Sequence, residues 1–174
     1  MPYRITLHHT VGRYEQFFND YHYMIAYNPK TKQAYVKKGI YKPEDNDNTG
    51  DGKYAPHCAL ANTGNIGVAI CANLNYDFKT NTSPTYPITA QQIELAFYVL
   101  AELCVKYNIN VNEVQTHYER DRKLKKPSGK VDIIFIPSYP KETANKENVG
   151  NFIRNKVKWY IVNKVKNKNN LKYI

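Results

Sequence analysis

Residues 65–71, NIGVAIC, form a short apolar run bounded by turn residues, and this run limits the fold more than any other segment. A strand that is apolar on both faces belongs in the middle of a sheet with further layers covering it. Helical cover is present in the chain. Thr89 followed three residues later by Gln92 reads as a capping box, and Ile93, Phe97, Leu100 and Cys104 keep one helical face up to Tyr107. Residues 4–8, RITLH, alternate in polarity and read as a strand ending in paired histidines. Residues 21–27 and 33–37 read as two more strands joined by the hairpin loop NPKTK. The stretch 42–53, KPEDNDNTGDGK, reads as an exposed loop. The expectation is α/β: a central mixed sheet of about five to six strands flanked by helices, with the site in a groove at one sheet edge or face.

The C-terminal segment 149–170 places Val149, Phe152, Ile153, Val157, Tyr160 and Ile161 on one stripe, with Lys and Arg filling much of the remainder. It reads as a basic amphipathic helix. With 174 residues, 42% of them apolar, and no internal repeat or long linker, residues 1–174 are expected to form one domain. The formal charge of +10 is concentrated in the tail, since the last 34 residues hold nine Lys/Arg and two Glu. Such a charge suits an acidic partner, whether nucleic acid, an anionic membrane face or an anionic wall polymer. The 16 Tyr, against 6 Phe and 1 Trp, suit a groove for a polar ligand.

Cys58, Cys71 and Cys104 are odd in number and match no zinc-knuckle or disulfide spacing, so they read as reduced, small hydrophobes. The N-terminus, MPYRITLHH, has neither the basic nor the apolar region of a secretory signal, and no stretch reaches the ~20 apolar residues of a membrane span. The expectation is a protein made in the cytoplasm.

The residues able to carry chemistry are His8 and His9 at a strand end, His22, His57, His117, and Asp132 just beyond Gly129 and Lys130. Catalytic zinc sites use three protein ligands and one open position, which two His and one Asp would satisfy. Scattered histidines alone do not choose the ligands, because most histidines are structural.

The ordered segments LHHT, DYHYMIAYN, APHCALANTGNIGVAI, the helix opening TAQQ, and TH followed downstream by GKVD resemble the N-acetylmuramoyl-L-alanine amidase family. That family includes bacteriophage lysozyme-like amidases and animal peptidoglycan recognition proteins, and the resemblance is to small phage or prophage endolysins. It extends over residues 4–134. It implies zinc held by His8, His117 and Asp132, with Tyr21 and Lys130 as catalytic helpers and Glu119 as a candidate acid. It also implies His9, His57 and Asn62 along the substrate groove. The implied reaction is hydrolysis of the amide between N-acetylmuramic acid and L-alanine, with zinc acidifying the attacking water.

The expected partner is peptidoglycan, approached in the periplasm, from outside the cell or from a virion, by a monomer with no role for nucleic acid. The C-terminal helix would meet an anionic wall polymer or membrane surface. Two departures stand out: GKVD follows His117 across an unusually basic stretch, RDRKLKKPS, and CANLN stands where a small residue and Gly are expected. The alternative is a non-catalytic peptidoglycan-binding protein, or a nucleic-acid- or polymerase-binding regulator, on the same fold. The latter would use Trp159 and Tyr160 beside Lys156, Lys158 and Lys164.

Overall fold

The structure, a computed structural model, describes residues 1–77, 83–125, 127–140, 145–165 and 171–174. Among the described residues there are five strands, β1 (Arg4–His9), β2 (Tyr23–Asn28), β3 (Gln33–Lys38), β4 (Asn65–Ile70) and β5 (Val114–Thr116). They form one sheet in the order β3-β2-β4-β1-β5. Strand β4 pairs in parallel with β1 and β2, β1 pairs in parallel with β5, and only the β2–β3 hairpin is antiparallel. All six residues of β4 are buried, as its unbroken apolar run requires. The second strand starts at Tyr23 rather than at residue 21, which leaves Tyr21 and His22 in the approach to it.

Helix α1 (Ala90–Tyr107) begins at the Thr89–Gln92 capping box and ends at Asn108 in a left-handed conformation. Helix α2 (His117–Arg122) starts directly after β5, with Thr116 and Glu119 forming a second capping box. The basic helix α3 spans Val149–Asn163, so its end falls short of the expected residue 170; residues 166–170 lie outside the described part. No helix among the described residues is long and apolar enough to cross a membrane.

Strand alternation divides the sheet into two unlike faces. Ile5, Leu7, Ile66, Val68 and Ile70 join Ile93, Phe97 and Leu100 of α1 and Val149, Ile153 and Val157 of α3 in one core. The opposite face is polar near its centre: Thr6 hydrogen-bonds Asn65, and His8 lies in register with Ala69. The segment read as an exposed loop supplies a buried plug to this second layer. Asn46 is fully buried because its side chain accepts from Ala55 N–H and donates to the carbonyls of Ala55 and Asn62. Its amide satisfies backbone groups that the loop has no strand to pair, so a polar segment is pulled inside. Cys58, Cys71 and Cys104 are all buried and free, in keeping with the reading of small hydrophobes.

Two polar ties hold α1. Gln92 is fully buried and donates to the carbonyls of Ile25 (3.1 Å) and Cys71 (2.9 Å), stapling the helix start across β2 and β4. Glu94 accepts from Tyr139, from Tyr160 (2.6 Å) and from Lys156 (3.1 Å), joining α1 to α3 and to the loop before it. Burial alone would raise the Glu94 carboxyl, but these three donors and the Lys156 charge outweigh it and lower it below 4.5.

Replacing Gln92 by Leu strips both carbonyls of this donor. The expected cost is about 2 kcal/mol, a fall in Tm of roughly 4–8 °C by calorimetry; a change within error would contradict the staple. For Glu94→Gln the sign follows from a folded pKa below the unfolded one: its stabilisation is present above pH 4.5 and lost as pH falls through the folded value. Melting curves should separate wild type from Glu94→Gln at pH 7 and converge as pH drops below the carboxylate range.

Candidate metal centre

The parallel register places Leu7 opposite Thr116, so His8, the next residue of β1, and His117, the first residue of α2, come side by side near the C-terminal ends of these strands. Their rings lie 4.4 Å apart between centroids. Open parallel sheets build their sites at this edge. Asp132 arrives on the loop after α2, and its Oδ2 lies 3.1 Å from His8 Nδ1 and 2.9 Å from His117 Nδ1. One donor atom from each of the three residues lies within 4.8 Å of the other two.

The tautomers follow from the partners. His57 Nε2 lies 3.0 Å from the Asn65 carbonyl, an acceptor only, so that nitrogen carries the proton. His57 Nδ1 is then bare and accepts from His8 Nε2–H at 3.1 Å. This leaves His8 Nδ1 as a lone pair aimed at Asp132. Burial keeps both rings neutral, pushing His8 down to about 4 and His57 well below its ordinary value. Gly67 of β4 is required here by close approach, because a Cβ would sit 2.4 Å from the His57 ring. His22 extends the buried imidazole row. It accepts from Gly67 N–H at Nδ1 and donates from Nε2 to Asn46.

His117 differs from its neighbours. Burial opposes its charge, but hydrogen bonds to Asp132 and Cys58, with the Asp132 charge, raise it to about 9. Burial likewise opposes the Asp132 charge, yet the two histidines hold its carboxyl far below the usual range. His117 Nδ1 and His8 Nδ1 thus face the same carboxylate oxygen, at 2.9 and 3.1 Å.

Three ligand atoms that converge in this way could hold a cation. With zinc bonds of about 2.0–2.1 Å, tetrahedral ligand atoms lie about 3.3 Å apart, close to the separations seen here. The two imidazoles and one carboxylate suit zinc chemically, and His8 is already oriented from behind by His57.

The remaining expected site residues divide. Tyr21 comes to the cluster: its ring is 5.3 Å from His8, and burial and Asp132 raise its hydroxyl above the usual tyrosine range, so it stays a donor. Lys130 is exposed two residues before Asp132 on the same loop. Glu119 is not brought in: it caps α2 through Thr116 and grips Arg154 of α3 at 2.9 and 3.2 Å. His57 is enclosed and lies behind His8 rather than along an open groove. His9 points to the opposite face, into a small pocket of about 10 Å³ with Asn73, Tyr76 and Phe135, and its buried Nδ1 has no protein partner among the described residues. Asn62 holds the turn after His57 by accepting from Cys58 N–H. The sequence reading missed Asp121, Asn65 and Cys58 as neighbours of the site. The Thr116–Glu119 capping box was the readable signal for α2, which carries His117 and Asp121.

Two histidines and a carboxylate gathered at the C-terminal ends of parallel strands define the class: an α/β protein with a side-chain cluster that could hold a metal ion. The N-acetylmuramoyl-L-alanine amidase family model matches residues 2–132, and the chain belongs to that family. Its reaction class is thus hydrolysis of a peptidoglycan amide. No curated protein sequence matches the chain. Among solved structures it is similar to the E. coli N-acetylmuramyl-L-alanine amidase AmiD, in complex with the substrate anhydro-N-acetylmuramic acid-L-Ala-D-gamma-Glu-L-Lys. That match has 12% identity and a TM-score of 0.50, covering 72% of this chain and 52% of AmiD. The E90A mutant of PlyL is 20% identical, with a TM-score of 0.44 and coverage of 90% and 85%. The catalytic domain of XlyA is 16% identical, with a TM-score of 0.41 and coverage of 90% and 86%.

Long-range proton–nitrogen NMR spectra of the metal-free chain should show His8, His22 and His57 as neutral Nε2–H tautomers and His117 doubly protonated at neutral pH. An Nδ1–H tautomer at His8 would contradict the hydrogen-bond row described here.

Proposed function

We propose that the chain is a zinc-dependent N-acetylmuramoyl-L-alanine amidase that cleaves the bond between the lactyl carbonyl of N-acetylmuramic acid and L-alanine. The observation that carries this reading is the convergence of one ligand atom each from His8, His117 and Asp132 within 4.8 Å of one another, with Asp132 Oδ2 3.1 Å from His8 Nδ1 and 2.9 Å from His117 Nδ1. His8, His117 and Asp132 would hold the zinc; when bound, it supplies Lewis acidity that polarises the scissile carbonyl and acidifies a water. Tyr21, kept protonated beside His8, donates a hydrogen bond to the carbonyl oxygen as negative charge develops on it. Lys130, on the loop that carries Asp132, adds a positive charge to the same oxyanion. His57 binds no substrate in this reading; it fixes the ring of His8.

The sequence resemblance to small phage enzymes supports an endolysin role, with peptidoglycan as the substrate. We read residues 1–174 as one domain, since α3 shares its core with α1 and the sheet. Contact with anionic wall polymer or membrane is assigned to the outer face of α3, where Lys158 is exposed beside Trp159 (49% exposed) and Val162 (69% exposed).

The test is release of stem peptides with new L-alanine amino termini from purified sacculi. Zinc-loaded wild type should release them. Chelator-treated protein should not, and His117→Ala should lose more than the roughly 10- to 100-fold that removing an outer-shell partner costs. A zinc-loaded wild type that frees no termini would favour the non-catalytic binding or regulatory reading.

A further inference from the structure

Asp121 stands one turn after His117 in α2 and is only 2% exposed, yet the proposed chemistry leaves it without a task. Its carboxylate is fully engaged by one short segment. Oδ1 accepts from Ser128 N–H at 2.8 Å and from the Ser128 hydroxyl at 2.6 Å. Oδ2 accepts from Gly129 N–H at 2.8 Å and from Lys130 N–H at 3.1 Å. Three consecutive residues thus turn their backbone N–H groups inward onto one side chain, a concave arrangement that suits an anion. Gly129 makes the turn at φ +77°, a conformation that favours glycine; a Cβ there would meet nothing within 4 Å, so the requirement is conformational and not steric.

The gathered segment leads directly to the residues proposed for the reaction: Lys130 is part of it, and Asp132 follows two positions later. A second tie joins the same loop to the first turn of α2, where Tyr118 N–H reaches the Asp132 carbonyl at 3.4 Å. One short helix therefore carries His117 at its start and grips, one turn further on, the loop that returns Asp132 to His117. This explains how the ligand pair survives a long, basic connection between its two members: the entropy of that connection does not reach Asp132, because the loop is fastened just before it.

We infer that Asp121 is the positioning residue of the metal centre, its carboxylate gathering the backbone of residues 128–130 so that Asp132 and Lys130 are held against His8, His117 and Tyr21. The inference rests on the zinc reading above and assigns Asp121 no contact with metal or substrate. The four hydrogen bonds also keep the Asp121 carboxylate charged, lowering its pKa despite the cost of desolvation.

The experiment measures zinc dissociation constants by competition with a chromophoric chelator for wild type, Asp121→Asn and Ser128→Ala. The visible spectrum of the cobalt-substituted proteins and the Tm of each are recorded alongside. Asp121→Asn keeps the shape but turns an NH₂ toward backbone donors, and should weaken zinc binding roughly 10- to 100-fold with an altered cobalt spectrum. Ser128→Ala removes one of the four bonds and should weaken zinc binding by less, with Tm near that of wild type. A destabilised Asp121→Asn protein that binds zinc with wild-type affinity and spectrum would make Asp121 a fold residue only and overturn the inference. Should Asp121→Asn not fold, Ser128→Ala decides by the same readout: unchanged zinc affinity overturns the proposal, and weakened affinity upholds it. A wild type that takes up neither zinc nor cobalt would instead overturn the metal centre itself, and this role with it.

Discussion

The parallel pairing of β1 with β4 and β5 is the constraint on which the rest of the structure depends. It puts the polar alternates of β1 on the face away from α1 and α3, and it sets Leu7 opposite Thr116. Because strand side chains alternate, a shift of one residue would turn His8 into the helix-covered core and bring Leu7 out. The apolar face prevents that slip: Ile5, Leu7, Ile66 and Val68 are buried against α1 and α3. The hydrophobic core thereby fixes the register that aims the polar residues.

The second requirement is electrostatic. A buried row of neutral imidazoles, His22, His57 and His8, is tolerable because every ring nitrogen except one has a donor or acceptor role satisfied by protein. The exception, His8 Nδ1, is directed at the half-buried carboxylate of Asp132. The polar site is thus an extension of the fold's hydrogen bonding. The backbone carbonyl of Asn65 orients His57, which orients His8, while Asp121 fastens the loop that delivers Asp132.

Much of this was legible in the chain itself. The NIGVAIC run and the Thr89–Gln92 box gave the central strand and the long helix because their signals are local: one is uniform hydrophobicity, the other a fixed spacing. His8, His117 and Asp132 were reachable only through the ordered resemblance to a family, since their proximity depends on strand register and a loop closure that no spacing reveals. The roles of His57, Asn46 and Asp121 were not legible, because each follows from hydrogen bonds to backbone atoms distant in sequence. Glu119 illustrates the opposite error. A carboxylate two residues past a ligand suggested chemistry, whereas its capping of Thr116 and its pairing with Arg154 give it a structural task. The polarity of residues 42–53 marks a loop but does not reveal that Asn46 is buried by satisfying the backbone around it.

Anomalous diffraction at the zinc edge from crystals of the zinc-loaded chain tests the central claim most directly. The account predicts one peak about 2.0–2.2 Å from His8 Nδ1, His117 Nδ1 and Asp132 Oδ2, with His8 Nε2 still donating to His57. No peak among these three residues, or zinc bound through His8 Nε2 with the His57 contact broken, would contradict it.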